Sequence, residues 1–185
     1  MTDSAPKPRP RKLYVLWAIA LTLLLALGSF SWLVVVPVLQ ARTLVRDEIP
    51  AKMFRRPVYT RAMARRDSLD GIAKLGGQRR AAMLLYRYLI WFDGHDFLEL
   101  GIAADMMAHC GADGLAALRA LAEGSDKELR RAGVEGLERA AGHDPAAVTV
   151  LRELSEGNEV APGADVRRLA REALKKIKAA QEKKK

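Results

Sequence analysis

The sequence predicts an all-α chain, one apolar helix followed by a small domain of stacked helical repeats, and three observations carry that prediction. Residues 13–39, LYVLWAIALTLLLALGSFSWLVVVPVL, run without a charged side chain. Beyond residue 67 apolar positions recur at intervals of three and four, with no alternating stretch of the kind a strand needs. Short words of sequence in that second region repeat at offsets of 31 to 37 residues.

The apolar run has the length of a membrane span. At about 1.5 Å per residue its helix reaches about 40 Å, more than the roughly 30 Å of a bilayer's hydrocarbon core. Tyr14 and Trp17 stand where an aromatic belt belongs. Ala18, Thr22, Ala26 and Ser29 put small side chains on one face, which permits close helix packing and also suits an ordinary lipid-facing helix. A cleaved signal peptide is the rival reading, but its apolar region is about 7 to 15 residues. No small-x-small site follows Leu39, where the chain reads Gln40, Ala41, Arg42. The expectation is an uncleaved, single-pass transmembrane helix over 13–39, a signal anchor behind a basic, disordered tail of residues 1–12. That tail's four basic groups favour a cytoplasmic N-terminus and an extracytoplasmic domain, although Arg42, Arg46, Lys52, Arg55 and Arg56 follow the span closely.

The formal charge of +9 is unevenly distributed. Residues 1–12 hold four basic groups against Asp3, a net of +3, and residues 40–66 hold eight against Asp47 and Glu48, a net of +6. Residues 67–174 hold 13 basic against 18 acidic side chains, a net of −5. A nucleic-acid surface needs its cations on the folded domain, so this distribution disfavours nucleic acid as a partner. Residues 40–66, rich in Arg and holding Pro50 and Pro57, read as a juxtamembrane linker. Its cations Arg42, Arg46, Arg55 and Arg56 are the candidate lipid-headgroup contacts, worth about 1 kcal/mol each near an anionic surface. The one cysteine, Cys110, excludes an internal disulfide and leaves the redox compartment open.

The remaining residues, 67–178 ahead of a Lys-rich tail at 179–185, suffice for one domain. Gly-marked breaks predict helices near 68–75, 78–92, 96–109, 114–123, 127–141, 145–156 and 165–181, with Asp126, Asp144 and Asp165 as N-caps. LRALAEG at 118–124 returns as LRELSEG at 151–157, and LRRAGVEGL at 129–137 as VRRLAREAL at 166–174. A fainter copy, LELGIAADM, begins at Leu98. Leu129, Gly133, Gly136, Leu137 and Ala140 form one helical stripe, and Val166, Ala170, Ala173, Leu174 and Ile177 form its counterpart. Glycine inside a helix costs about 1 kcal/mol relative to alanine, so its presence on the stripe predicts a close backbone approach.

At these residues the sequence resembles the HEAT-repeat family over roughly 78–178. The resemblance implies a small α-solenoid of about three HEAT-like repeats, used for binding proteins. It also implies a structural ladder between repeats, formed by the Asp of the turn and the Arg of the second helix, here Asp126 with Arg130 and Asp165 with Arg167. The first repeat departs from the pattern, with Asp96 but Glu99 in the Arg position.

Candidate chemistry is sparse. Asp105 and His109, one turn apart, are a polar irregularity where the other repeats carry Gly136 with Ala140 and Ala173 with Ile177. With Cys110 and Asp113 nearby a metal can be imagined, but His109 and Cys110 point about 100° apart on a helix and nothing completes a tetrahedron. A polar recognition patch fits better, and a capped, partly exposed first repeat fits better still. Tyr86, Tyr88, Trp91 and Phe92 cluster in one helix, as core or as an aromatic anchor for a partner. No nucleophile–base grouping, P-loop or dinucleotide fingerprint occurs, so neither catalysis nor a cofactor is expected. The expected function is a membrane-anchored, non-catalytic scaffold or accessory subunit, with other subunits of a membrane complex and the lipid bilayer as partners and no small-molecule substrate. Its partner-binding residues would be Arg131, Glu135, Glu138, Arg168 and Glu172. A membrane-surface or nucleic-acid binder acting through the basic segments, and a lyase-like enzyme accessory, are the other classes the sequence leaves open.

Overall fold

A computed structural model describes residues 11–56, 58–156 and 163–183, and among them the chain is helical, without a strand. The expected tail at 1–12 falls almost wholly outside the described residues. Two compact units divide between Pro37 and Val38.

The first unit contains α1 (Arg11–Phe30) and a π-helical turn, Ser31–Val35. Helical backbone continues to Arg55, and this helix is long and apolar enough to cross a membrane. Trp17, Leu24 and Trp32 are about 70 % exposed, so these apolar side chains of the first unit are not packed into a protein core. Thr22 Oγ donates to the Ala18 carbonyl at 2.9 Å, satisfying its hydroxyl within the helix.

The second unit takes in α2 (Val36–Thr43) from Val38 onward, then a π-helical turn Leu44–Glu48, α3 (Ile49–Arg55), α4 (Arg61–Lys74), α5 (Gln78–Trp91), α6 (Phe97–Ala108), α7 (Gly111–Ala122), α8 (Lys127–Ala140), α9 (Ala146–Glu156) and α10 (Gly163–Glu182). Consecutive helices α5–α6, α7–α8 and α9–α10 pack as hairpins. Helices α4, α6, α8 and α10 lie side by side in one row, and α5, α7 and α9 in the other. Leu85, Leu89, Met106, Met107, Leu118, Leu137 and Leu151 are buried between them, each contributing about 1.5–3 kcal/mol of transfer free energy.

The glycine stripe packs as its spacing demands. A Cβ on Gly133 would stand 2.6 Å from the Leu118 carbonyl oxygen and the Ala122 nitrogen, so α8 rests against the backbone of α7. One on Gly136 would meet the Leu118 side chain at 2.4 Å. Gly77, at φ +97°, sets the turn into α5 that a side chain would strain.

Two expectations are corrected. Residues 40–66 are not a linker, because Val38, Ala41, Val45 and Ile49 form a buried stripe and belong to the domain's core. The cause is the 3, 4, 4 spacing of those residues, a helical period continued through Arg-rich sequence. The N-cap expected at Asp165 is displaced, since α10 begins at Gly163 and Asp165 lies in its first turn. Asp126 does cap α8, accepting from the Leu129 amide at 2.8 Å.

Candidate partner-binding face

Outward positions of α8 and α10 recur at three and four residues, as a solvent stripe must. On α8 they are Glu128, Arg131, Glu135 and Glu138, and on α10 Asp165, Arg168, Glu172 and Lys176. Between the two helices these side chains border a groove of about 380 Å³ with Val134 and Leu169 as its apolar members. All five residues expected to bind a partner, Arg131, Glu135, Glu138, Arg168 and Glu172, line it.

The electrostatics of the groove are balanced. Five cations, Lys127, Arg130, Arg131, Arg168 and Lys176, face five anions, Glu128, Glu135, Glu138, Asp165 and Glu172. Arg131 Nε lies 2.8 Å from Glu135 Oε1, Arg168 Nη1 2.9 Å from Glu172 Oε1, and Lys176 Nζ 3.1 Å from Glu138 Oε2. Exposed pairs of this kind contribute about 0–1 kcal/mol each, so a partner's charges can exchange with them at low cost. The groove lining carries no cationic excess of the kind a phosphate-backbone contact draws on.

The expected ladder takes another register. Arg130 donates to the carbonyls of Gly124 and Ser125, and its Nη2 stands 3.9 Å from Asp165 of the following hairpin. Asp126 instead spends its carboxylate on the cap, and Arg167 is half-buried on α10. Arg130 is therefore placed against the Asp165 of the next hairpin, and Asp126 caps its own helix.

The four candidate lipid contacts are mostly occupied within the domain. Arg46 Nε pairs with Glu99 Oε1 at 3.2 Å, and Arg56 makes two 3.4 Å contacts with the buried Asp67. Arg42 stacks over the Phe92 ring at 4.8 Å, and Arg55 stays exposed. Tyr59 also donates to Asp67, at 3.2 Å, and burial together with that carboxylate pushes its phenol up to about 12.

Asp105 and His109 do not join side chain to side chain. The Asp105 carboxylate accepts from Ser68 Oγ at 2.8 Å, whereas His109 Nδ1 donates to the Asp105 backbone carbonyl at 2.9 Å. The His109 ring stacks on His143, with centroids 4.6 Å apart, and His143 Nε2 donates to the Ala108 carbonyl. Cys110 is buried, and burial pushes its thiol up to about 12. Among the described residues no group of three or more His, Cys, Asp or Glu side chains converges to hold a metal.

The aromatic cluster of α5 splits. Tyr88 is core, Phe92 packs on it at a centroid distance of 5.9 Å, and Trp91 remains 45 % exposed beneath the Arg87 guanidinium. Sequence reasoning missed the polar centre behind it. Buried Glu99 accepts from Tyr88 Oη at 3.2 Å and faces His95 Nδ1 at 3.3 Å, in addition to Arg46. One of only two charges in the otherwise apolar LELGIAADMM, Glu99 was the available signal. Comparison with protein-family models, with curated proteins and with solved structures yields no match for the chain.

Proposed function

We propose that this chain is a single-pass, membrane-anchored protein whose helical domain is a short HEAT-like α-solenoid acting as a non-catalytic scaffold for protein partners. The α4–α6–α8–α10 row is its inner, binding face. The observation that carries the reading is the groove between α8 and α10, lined by exchangeable ion pairs over an apolar floor. Repetition supports it as well, because α8 and α10 present equivalent outward stripes, and a hairpin by itself would leave apolar faces uncovered. The apolar helix ahead of the domain supplies the anchor, with the basic N-terminus cytoplasmic and the domain outside.

Affinity purification of the full chain from detergent-solubilised membranes tests the groove. Glu135→Lys with Glu172→Lys is expected to release its specific partners while leaving helix content unchanged. Partners that all remain bound overturn the assignment. Protease digestion of intact cells, with the domain degraded only when it is extracytoplasmic, tests its side.

A further inference from the structure

A second concavity opens on the same row of helices, where α3, α4 and α6 meet. It encloses about 260 Å³, below the roughly 300–1,000 Å³ of a drug-sized site and above the roughly 150 Å³ that holds one benzene. Ile49 and Met53 of α3 and Leu98 and Ile102 of α6 supply apolar lining, and Phe97, 69 % exposed, is also part of it. Asp105 supplies a carboxylate in this apolar surround. One of its oxygens accepts from Ser68 Oγ, and a carboxylate offers about four lone-pair positions, so acceptor capacity remains for a ligand's donor.

The pocket neighbours the charged groove, with side-chain contacts between the two linings. Arg139 lines the pocket and reaches Glu135 of the groove at 3.8 Å, while Arg131 of the groove lies 5.8 Å over the ring of Phe97. Arg139 is also fixed by donating to the Gly101 carbonyl at 2.8 Å. One extended segment laid along the row would therefore meet mixed charge at one end and a side-chain-sized apolar hole with an acceptor in it at the other.

We infer that this pocket, formed where α3 closes over α4 and α6, receives a tyrosine or tryptophan side chain of the partner protein, with Asp105 accepting its O–H or N–H. The proposal rests on the protein-binding reading of the row. Volume selects one aromatic ring, the apolar lining of Ile49, Met53, Leu98 and Ile102 suits its faces, and Asp105 selects a ring that carries a donor. This also accounts for a carboxylate at the position where the other hairpins carry Gly136 and Ala173.

The test uses the full chain in lipid nanodiscs with ¹³C-methyl methionine, titrated with N-acetyl-tryptophanamide, N-acetyl-tyrosinamide and N-acetyl-phenylalaninamide. The Met53 methyl signal is expected to shift saturably, with the two donor-bearing probes binding about tenfold more tightly than the phenylalanine probe. Asp105→Ala erases that preference and Ser68→Ala keeps it. A Cβ at Gly101 would meet only Arg139 Nη2, at 3.9 Å, so Gly101→Leu fills the pocket without straining the backbone and abolishes all binding. A Met53 signal unmoved by any probe, equal affinity for all three, or a preference that survives Asp105→Ala overturns the proposal. Unmoved Met53 alongside partner release by the Glu135 and Glu172 reversals removes the pocket and leaves the groove. Probe binding without such release keeps the aromatic site and removes the groove.

Discussion

Arg46 Nε lies 3.2 Å from Glu99 Oε1, and that contact ties the segment following the apolar helix to α6 in the middle of the domain. Glu99 is 6 % exposed and also accepts from Tyr88. Removing it leaves buried donors unanswered, so Glu99→Ala is expected to destabilise the domain by about 3 kcal/mol. Arg46 is half exposed, so solvent screens it, and Arg46→Ala is expected to cost no more than about 1 kcal/mol. Urea unfolding followed by circular dichroism compares the two, and an equal loss would contradict this division.

The same tie fixes the domain's beginning. A fragment starting at Val38 is expected to unfold in one cooperative transition. One starting at Asp67 lacks Val38, Ala41, Leu44, Val45 and Ile49, all buried, and forgoes on the order of 5 kcal/mol or more. It is expected to be partly or wholly unfolded at 25 °C. Equal urea midpoints for the two fragments would show that residues 38–66 are dispensable.

Two helical glycines predict opposite responses to alanine. At Gly133 the new methyl would press on the backbone of α7 at 2.6 Å, which cannot yield as a side-chain tip does, and a loss of about 2 kcal/mol is expected. At Gly101 there is room, and the gain in helix propensity should stabilise by up to about 1 kcal/mol. Thermal melts of the two variants should move in opposite directions.

Alkaline pH should weaken the fold. Burial raises Tyr59 and Cys110 to about 12 and raises Tyr88 further, against ordinary values of 10 for the phenols and 9 for the thiol. Each group is neutral in both states at pH 8, and between about 9 and 12 the unfolded chain ionises first. Stability is therefore complete below about pH 9 and declines as pH rises toward 12. Disulfide exchange at Cys110 with a soluble aromatic disulfide should be slow at pH 8 and fast in denaturant. Fast labelling of the native chain would contradict the burial.

Much of the helical layout was legible because it depends on local spacing. The expected helix 78–92 is Gln78–Trp91 and 127–141 is Lys127–Ala140, each bounded by Gly turns or an Asp cap. The 38–49 stripe was equally periodic, but Arg42 and Arg46 border it, and their partners Phe92 and Glu99 lie some 50 residues away in sequence. Charge read without its partner looks like solvent exposure. The candidate groove was half legible: outward positions on two helices follow from periodicity, whereas their convergence on one groove follows from how α8 and α10 pack.

The sequence by itself determined that the chain is helical, that it carries one helix apolar enough for a membrane, and that glycines on the 129–140 stripe meet a close neighbour, since each is a matter of period and side-chain size. Only the tertiary structure decided that residues 38–55 belong to the domain, that Arg130 reaches forward to Asp165, and that Asp105 sits in an apolar pocket beside the groove. Those depend on which distant side chain neutralises a charge or walls a cavity. A local pattern constrains a residue's own helix face, and pairing between faces is set by packing of the whole domain.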